Sequence, residues 1–370
     1  MKTSPFKRRL SSLRDKLVPD FPDTMWVIQP ENRRYLSGFK APDPQINETS
    51  GSLLISRKMA LLITDSRYTI EAKREARDFD VVTIKWDLIK EFPALLERLK
   101  TKVLGFEGDY LTYKLHRELV KMLKKLRSPV RLAPMDRIVE EMRAIKDQSE
   151  IRAMEASAGM MSGLLSEVIS GLRPGRTEIE IARELEQLAF EAGAEGMAFP
   201  SIVASGPNSA LPHAVPTNRK IGRKEPIIFD VGLKFNGYCC DMTRTIFLDS
   251  PGSEFREIYR TVRNAQLSAI ESVKPGTDST KPDSVARGII TDAGFGMYFG
   301  HSLGHGVGLA THEAPRLGPI NPVKLAKGMT VTVEPGIYIP GKGGVRLEEM
   351  VVIGAKGARI LTKNNCYYDF

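Results

Sequence analysis

Four acids and one histidine in the C-terminal half of the chain have the types and setting of divalent-cation ligands. In IIFDVGLKFNGYCCDMTRT, Asp230 and Asp241 lie on strands flanking a candidate turn at Lys234 to Gly237. In TVTVEPGIYIPGKGGVRLEEM, Glu334 and Glu348 flank a second candidate turn at Gly341 to Gly344. Each acid interrupts an otherwise apolar strand, where a charge is costly unless it is paired or bound to an ion. Four carboxylates in one small site would repel so strongly that several would hold protons at neutral pH, and two divalent ions would cancel that charge. The remaining ligand candidate is His305 in GHSLGHGVGLATHE, a stretch that also carries His301 and His312 and so holds three of the chain's five histidines. Four carboxylates with one imidazole form a hard donor set that favours Mn2+, with Co2+, Fe2+ and Zn2+ the other candidates.

Taken singly, these residues have plainer readings. A lone strand acid is often an ion-pair partner, and Arg346 shares a strand face with Glu348, so it pairs with that residue or with Asp230. His213, in SGPNSALPHAVPT, reads alone as a satisfied histidine in a proline-stiffened loop. At most one of Cys239 and Cys240 shares the strand face of Asp241, and thiolate ligation is unnecessary to the set.

An internal repeat accounts for how such a set is brought together. LRPGRT (172–177) is echoed by VKPGT (273–277), and EAG with GMAF (191–199) by DAG with GMYF (292–299). Each half ends in one of the two candidate hairpins, so a pseudo-two-fold would carry the two acidic pairs to a common axis. The spacing predicts an α+β domain with helices covering one face of its sheet, and a capping box from Thr177 to Glu180 starts one of those helices. Residues before this region alternate β-rich runs (MWVIQ, SLLIS, MALLIT, VVTIK, VLGFE, VRLAP) with helical stretches such as 87–101, the pattern of a smaller α/β domain. The boundary is placed near residue 140, giving an N-terminal domain over 1–139 and a catalytic domain over 140–370.

Composition narrows the class. With 370 residues, 42% hydrophobic and 27% charged, the chain is an ordinary globular one. It has no apolar run near the roughly 20 residues that span a bilayer. MKTSPFKRRLSSLRDKL has no apolar block of the secretory kind; Phe6, Leu10, Leu13 and Leu17 read as the packed face of a first helix. Three cysteines, two of them adjacent, fit no disulfide framework and point to a reducing cytoplasm. The net charge of +9 is scattered, and its densest stretch, KMLKKLR (121–127), reads as a solvated helix face rather than a nucleic-acid surface.

The motifs VASGPNSALPHAVPT, DVGLKFNGYCCDMTRT, GHSLGHGVGLATHEAPRL, TVEPGIYIPGKGG and VRLEEM resemble, in order and spacing, those of the proline-specific metallopeptidases. That family comprises aminopeptidase P and prolidase, with the pita-bread catalytic fold shared with methionine aminopeptidase and creatinase. The resemblance implies that Asp230 chelates one ion, Asp241 and Glu348 bridge both, and His305 with Glu334 completes the second. It also implies that the ions activate a water and polarise the scissile carbonyl, while Glu334 passes a proton to the leaving proline nitrogen. His213 and His312 would orient the substrate and stabilise the oxyanion, and His301 would line the proline pocket. Tyr338 would lie on the substrate side and Arg346 behind the ligands. In relatives the N-terminal domain caps a partner's active site, which implies a homodimer.

Two departures stand out: Cys240 where relatives commonly have serine, and Lys224-Glu225-Pro226 where a Gly-Asp turn is usual. The second bears on how the loop carrying His213 enters the site. Arg316 lies where prolidases are thought to bind the C-terminal carboxylate of a dipeptide. This favours an Xaa-Pro dipeptidase over an aminopeptidase acting on longer peptides with proline second. A methionine aminopeptidase-like enzyme and a non-catalytic pita-bread binding module are the remaining alternatives.

Overall fold

The strand-like runs of the N-terminal region form one six-stranded mixed sheet in the computed structural model, which describes residues 4–17, 22–43, 45, 47–85, 87–135, 137–364 and 366–370. Thr24–Val27 sits inside it, antiparallel to Ser52–Ser56 and parallel to Val103–Phe106, and all four of its residues are buried. Strands covered on both faces read as continuous apolar runs, which is why these segments showed no alternation. The outermost strands, Asp80–Thr83 and Arg131–Pro134, are part-exposed at every position. Asp87 caps helix Leu88–Leu99 by accepting from the Ile89 N–H at 3.0 Å. The helix buries Phe92, Leu95, Leu96 and Leu99, and Phe92 meets Trp26 edge-on at 4.7 Å between ring centroids. The first helix, Pro5–Lys16, has proline at its start and buries Leu10 and Leu13.

The chain divides into two compact units, Met1–Arg143 and Ala144–Phe370. Residues just before the division belong to helix Ile138–Ala144, which polar contacts tie to the first unit. Asn32 Nδ2 donates to Glu107 and Glu140, and Arg143 donates to Asn32 Oδ1 at 2.8 Å.

In the second unit the repeated motifs mark equivalent points of two helix pairs. These are Gln148–Gly171 with Glu178–Glu191, and Ser253–Ser272 with Thr280–Asp292. Gly175 and Gly276, the glycines of the two Pro-Gly turns, both have positive φ and donate to Ile221 and Leu325 in matching loops. The EAG and DAG motifs end the second helix of each pair: the N–H groups of Gly193 and Ala194 bond Phe190 and Ala189, and those of Gly294 and Phe295 bond Thr291 and Ile290. This is the Schellman pattern, with a left-handed glycine past the helix end. The expected capping box is present, with Thr177 and Glu180 bonding each other's backbone.

Each half then forms a long hairpin that bends from one sheet into another. Ile227–Val231 pairs with Met242–Ile246, and the chain between them forms a tip hairpin, Leu233–Phe235 with Tyr238–Cys239. Asn236 and Gly237 both have positive φ there, as a tight two-residue turn demands. In the second half Thr330–Val333 pairs with Glu349–Ile353, and Gly336–Ile339 with Gly343–Arg346. At the first bend a Cβ on Gly232 would come within 2.2 Å of the Cys240 carbonyl oxygen, so only glycine allows the two chains to approach.

The bends correct one expectation. Only Asp230 lies within a strand, opposite Thr243; Asp241 precedes its strand, Glu334 follows one, and Glu348 precedes another. Three of the four acids therefore sit where the ladder is interrupted. There a side chain is released from strict up-and-down alternation and can turn toward the centre.

Candidate metal centre

The bends bring one ligand atom each from Asp241, His305 and Glu348 within 4.8 Å of one another. Strand Gly304–Gly306 supplies the histidine, with its backbone N–H donating to Thr332 Oγ1 at 3.1 Å. The same hydroxyl donates to Glu334 Oε1 at 3.1 Å, so one threonine orients both residues. His305 Nδ1 lies 3.0 Å from the Gly306 carbonyl oxygen, which accepts only, so Nδ1 carries the proton. The unprotonated Nε2 then faces Glu334 Oε1 at 3.4 Å and Asp241 Oδ2 at 3.6 Å. The histidine nitrogen and two carboxylate oxygens converge, Glu334 Oε1 also taking the Thr332 hydroxyl, an arrangement that a cation satisfies. Burial drives the His305 pKa down to about 4, which keeps the ring neutral and fit to ligate.

The carboxylates show the complementary effect. Burial, then the charges of Glu348, Asp230 and Glu334, hold Asp241 well above the usual carboxylate range. Burial, then Glu334 and Asp230, do the same to Glu348, and burial pushes Glu334 up to about 8. Asp230 is split: its Oδ2 accepts from Arg346 at 2.6 Å, while its Oδ1 is buried with no hydrogen-bond partner. Hard oxygen donors, one neutral imidazole and an unpartnered buried carboxylate oxygen fit divalent ions.

A stability measurement follows from these shifts. A carboxyl whose folded pKa lies above its unfolded value makes the folded state bind more protons. Its contribution is therefore present at low pH and is lost as pH rises through the folded pKa, here to about 8 for Glu334. Divalent ions displace those protons and remove the penalty. The gain in melting temperature on adding Mn2+ is expected to grow from about pH 6 to about pH 8; calorimetric scans with and without Mn2+ check this, and a constant or shrinking gain contradicts it.

Arg346 pairs with Asp230 rather than with Glu348. Its Nε donates to Thr243 Oγ1, which donates in turn to Glu348 Oε2 at 2.8 Å, and its Nη1 donates to the Tyr338 hydroxyl at 2.9 Å. That hydroxyl lies 2.9 Å from His301 Nε2, and His301 Nδ1 lies 2.8 Å from the Ser302 carbonyl. Donor and acceptor roles therefore run Arg346 to Tyr338 to His301, linking the acids to the expected proline-pocket histidine. Tyr338 is buried with its hydroxyl committed in this chain, so it supports His301 instead of presenting itself to a substrate.

The other two candidate site histidines are outward. His213 and His312 are exposed, and the His312 ring meets that of His305 edge-on at 4.2 Å between centroids. Burial, and then the nearby His213, lower the His312 pKa. Arg316 lies across the strand pair from His305, and its Nε donates to Ser302 Oγ at 3.0 Å. Its two terminal nitrogens have no partner among the described residues. Cys239 and Cys240 are buried and outside any disulfide, and burial pushes the Cys240 thiol up to about 11.

Two supports escaped the sequence reading, and a third lies in a segment it singled out. Fully buried Arg244 donates to the Thr243, Glu348 and Thr362 carbonyls and pairs with Glu349, fastening the bend that carries Glu348 to the strand after Asp241. Lys146 meets Glu313 at 3.1 Å, and Glu313 accepts from the Ala310 N–H, which fixes the turn bearing His312. Glu225, in the departing Lys-Glu-Pro segment, forks with Arg219 at the root of the His213 loop. Adjacency to a ligand candidate was the one signal available for Arg244 and Glu313.

The comparisons with known proteins agree with this geometry. Residues 152–355 match the model of metallopeptidase family M24, and residues 9–145 that of the creatinase/prolidase N-terminal domain. The Xaa-Pro dipeptidase of Pyrococcus furiosus is 37% identical, covering 96% of this chain and 98% of that one. The structure of an Xaa-Pro dipeptidase from Bacillus anthracis superposes with a TM-score of 0.91 at 36% identity, covering 97% of this chain and 98% of that one. An X-Pro aminopeptidase from Thermotoga maritima gives 0.85 at 36% identity, covering 95% and 97%. With both domain models matched in order and the pita-bread architecture of such relatives in its second unit, the chain belongs to metallopeptidase family M24.

Proposed function

We propose that the chain hydrolyses the Xaa-Pro bond of dipeptides, using two divalent ions, Mn2+ in the first place, held by Asp230, Asp241, His305, Glu334 and Glu348. The observation that carries this reading is the convergence of the His305 ring nitrogen with oxygens of Asp241, Glu334 and Glu348. When bound, the ions polarise the scissile carbonyl and acidify a water. Glu334, oriented by the Thr332 hydroxyl, would take the proton released by that water and pass it to the departing proline nitrogen. His213 and His312 stand on the exposed side to orient the peptide and stabilise the oxyanion, and His301, fixed by Tyr338, lines the proline pocket. A homodimer in a reducing cytoplasm goes with this reading, supported by the family resemblance and by three cysteines that form no disulfide.

The preference for dipeptides rests on Arg316. Its unpartnered terminal nitrogens suit a carboxylate fork, and a dipeptide places its C-terminal carboxylate one residue beyond the cut. An Xaa-Pro aminopeptidase on longer peptides is the second reading, favoured by the Thermotoga relative. With Mn2+ supplied, an Xaa-Pro dipeptide is expected to give at least about tenfold higher kcat/KM than the matching Xaa-Pro-Xaa tripeptide, the worth of one charge-assisted contact. Faster cleavage of the tripeptide would transfer the assignment to the second reading.

A further inference from the structure

One fully buried carboxylate has no part in this chemistry. Glu178 opens helix Glu178–Glu191. Its Oε1 accepts from the backbone N–H and hydroxyl of Ser205 at 2.7 and 2.8 Å. Its Oε2 accepts from the backbone N–H and hydroxyl of Thr217 at 3.0 and 2.7 Å, and Asn208 Nδ2 lies 3.2 and 3.0 Å from the two oxygens. Five donors thus cover both oxygens of this carboxylate. Among the described residues no cation touches it; Arg219 reaches it only through Ser205 Oγ, at 2.6 Å. An acid in the first helical turn is favourable in itself, but helix stability does not call for bonds to a distant loop.

The partners identify a different task. Ser205 ends strand Ile202–Ser205, Asn208 lies in the turn Gly206–Ala210, and Thr217 is where the chain returns. Between them stands exposed His213, so one carboxylate closes the neck of the loop that carries it. The helix start reinforces the closure, since the Glu178 and Ile179 N–H groups donate to the Arg219 and Thr217 carbonyls. Across the loop, Ser209 Oγ accepts from the Gly344 N–H at 2.8 Å, and a Cβ on Gly344 would lie 2.4 Å from the Ser209 carbonyl oxygen, so no slack remains on that side. The second half of the domain repeats the device. Asp283 of helix Thr280–Asp292 accepts from the Leu303 N–H and pairs with Arg287, which donates to the Phe299 and His301 carbonyls at 2.9 and 2.8 Å. In each repeat, then, a buried acid on the second helix grips the loop bearing a histidine of the substrate side.

We propose that Glu178 is a positioning residue for His213, fixing the neck of its loop so that the imidazole meets the substrate. This rests on the reading of His213 as a substrate-facing group. The test is a double-mutant cycle between Glu178→Gln and His213→Ala, with kcat and KM on an Xaa-Pro dipeptide, metal content and melting temperature measured for each protein. Glu178→Gln is expected to retain the metal content of the parent and to lower kcat/KM about 10- to 100-fold, the scale of a misplaced catalytic contact. In the His213→Ala background the further loss is expected to be under about threefold, because the two changes remove one shared effect. Thr217→Val, which deletes one of the five donors, is expected to act in the same direction less strongly and serves if Glu178→Gln does not fold. Equal losses in both backgrounds, or a loss that follows metal content, overturn the inference. A His213→Ala enzyme as active as the parent removes the role of His213 itself, and the inference with it.

Discussion

Replacing Asp241 by alanine is expected to lower kcat/KM on an Xaa-Pro dipeptide by about 10³-fold or more, since ion-supplied charge stabilisation is worth several kcal/mol and each 1.36 kcal/mol is tenfold. Asp241 is one of three residues whose ligand atoms cluster, so the same protein should bind less metal than the parent. Its effect on the metal-free fold should have the opposite sign. Asp241 is held well above the usual carboxylate range by burial and by the acids around it, so when ionised it destabilises the folded chain. The metal-free Asp241→Ala protein is therefore expected to melt no lower than the metal-free parent at neutral to alkaline pH, while gaining less from added Mn2+. Activity loss with lowered stability would instead mean that the substitution broke the fold. Full metal content with an unchanged rate would remove Asp241 from the site.

Arg346→Met should show the reverse pattern. This guanidinium is buried, pairs with Asp230 at 2.6 Å, and holds Thr243 and Tyr338, through which it reaches Glu348 and His301. Removing one partner of a buried ion pair leaves the other uncompensated, at a cost of about 3–5 kcal/mol. The metal-free variant should therefore be markedly less stable than the metal-free parent by urea titration. Added Mn2+ should recover part of the loss, because the cation gives Asp230 a new counter-charge. Support of this kind behind metal ligands typically contributes about 10- to 100-fold in affinity or activity, and kcat/KM is expected to fall within that range. An unchanged urea midpoint and rate would mean that the network is ornamental.

Local signals carried much of this into the sequence. The Thr177 capping box, the paired Pro-Gly turns and the Asn236-Gly237 tip are decided within a few residues, and each is where the spacing placed it. Acids in apolar runs drew attention to Asp230, Asp241, Glu334 and Glu348 because an unpaired buried charge is so costly. What stayed hidden depends on distant segments. The switch of each hairpin from one sheet to another is a tertiary event, so three acids expected inside strands lie at bends. Strand parity allowed Arg346 to pair with either Asp230 or Glu348, and only the packed hairpins decide between them. Parity does separate Glu348 from Glu349, which turns away to Arg244, but LEEM alone does not say which of the two faces the centre. Glu178 reads locally as a helix-start acid; that it clasps a loop beginning at Ser205 is invisible without the fold. Proline specificity came from the family resemblance, since nothing in the spacing of charges encodes a pyrrolidine ring.

Behind all of these outcomes is one claim, that five residues gather two divalent ions on which Xaa-Pro hydrolysis depends. Calorimetric titration of the metal-free protein with Mn2+, with dipeptide hydrolysis followed on the same samples, tests it most directly. The expected result is two ions bound per chain, with hydrolysis appearing as the sites fill and disappearing with a chelator. Binding of one ion or none, or hydrolysis that persists in the chelated protein, would contradict it.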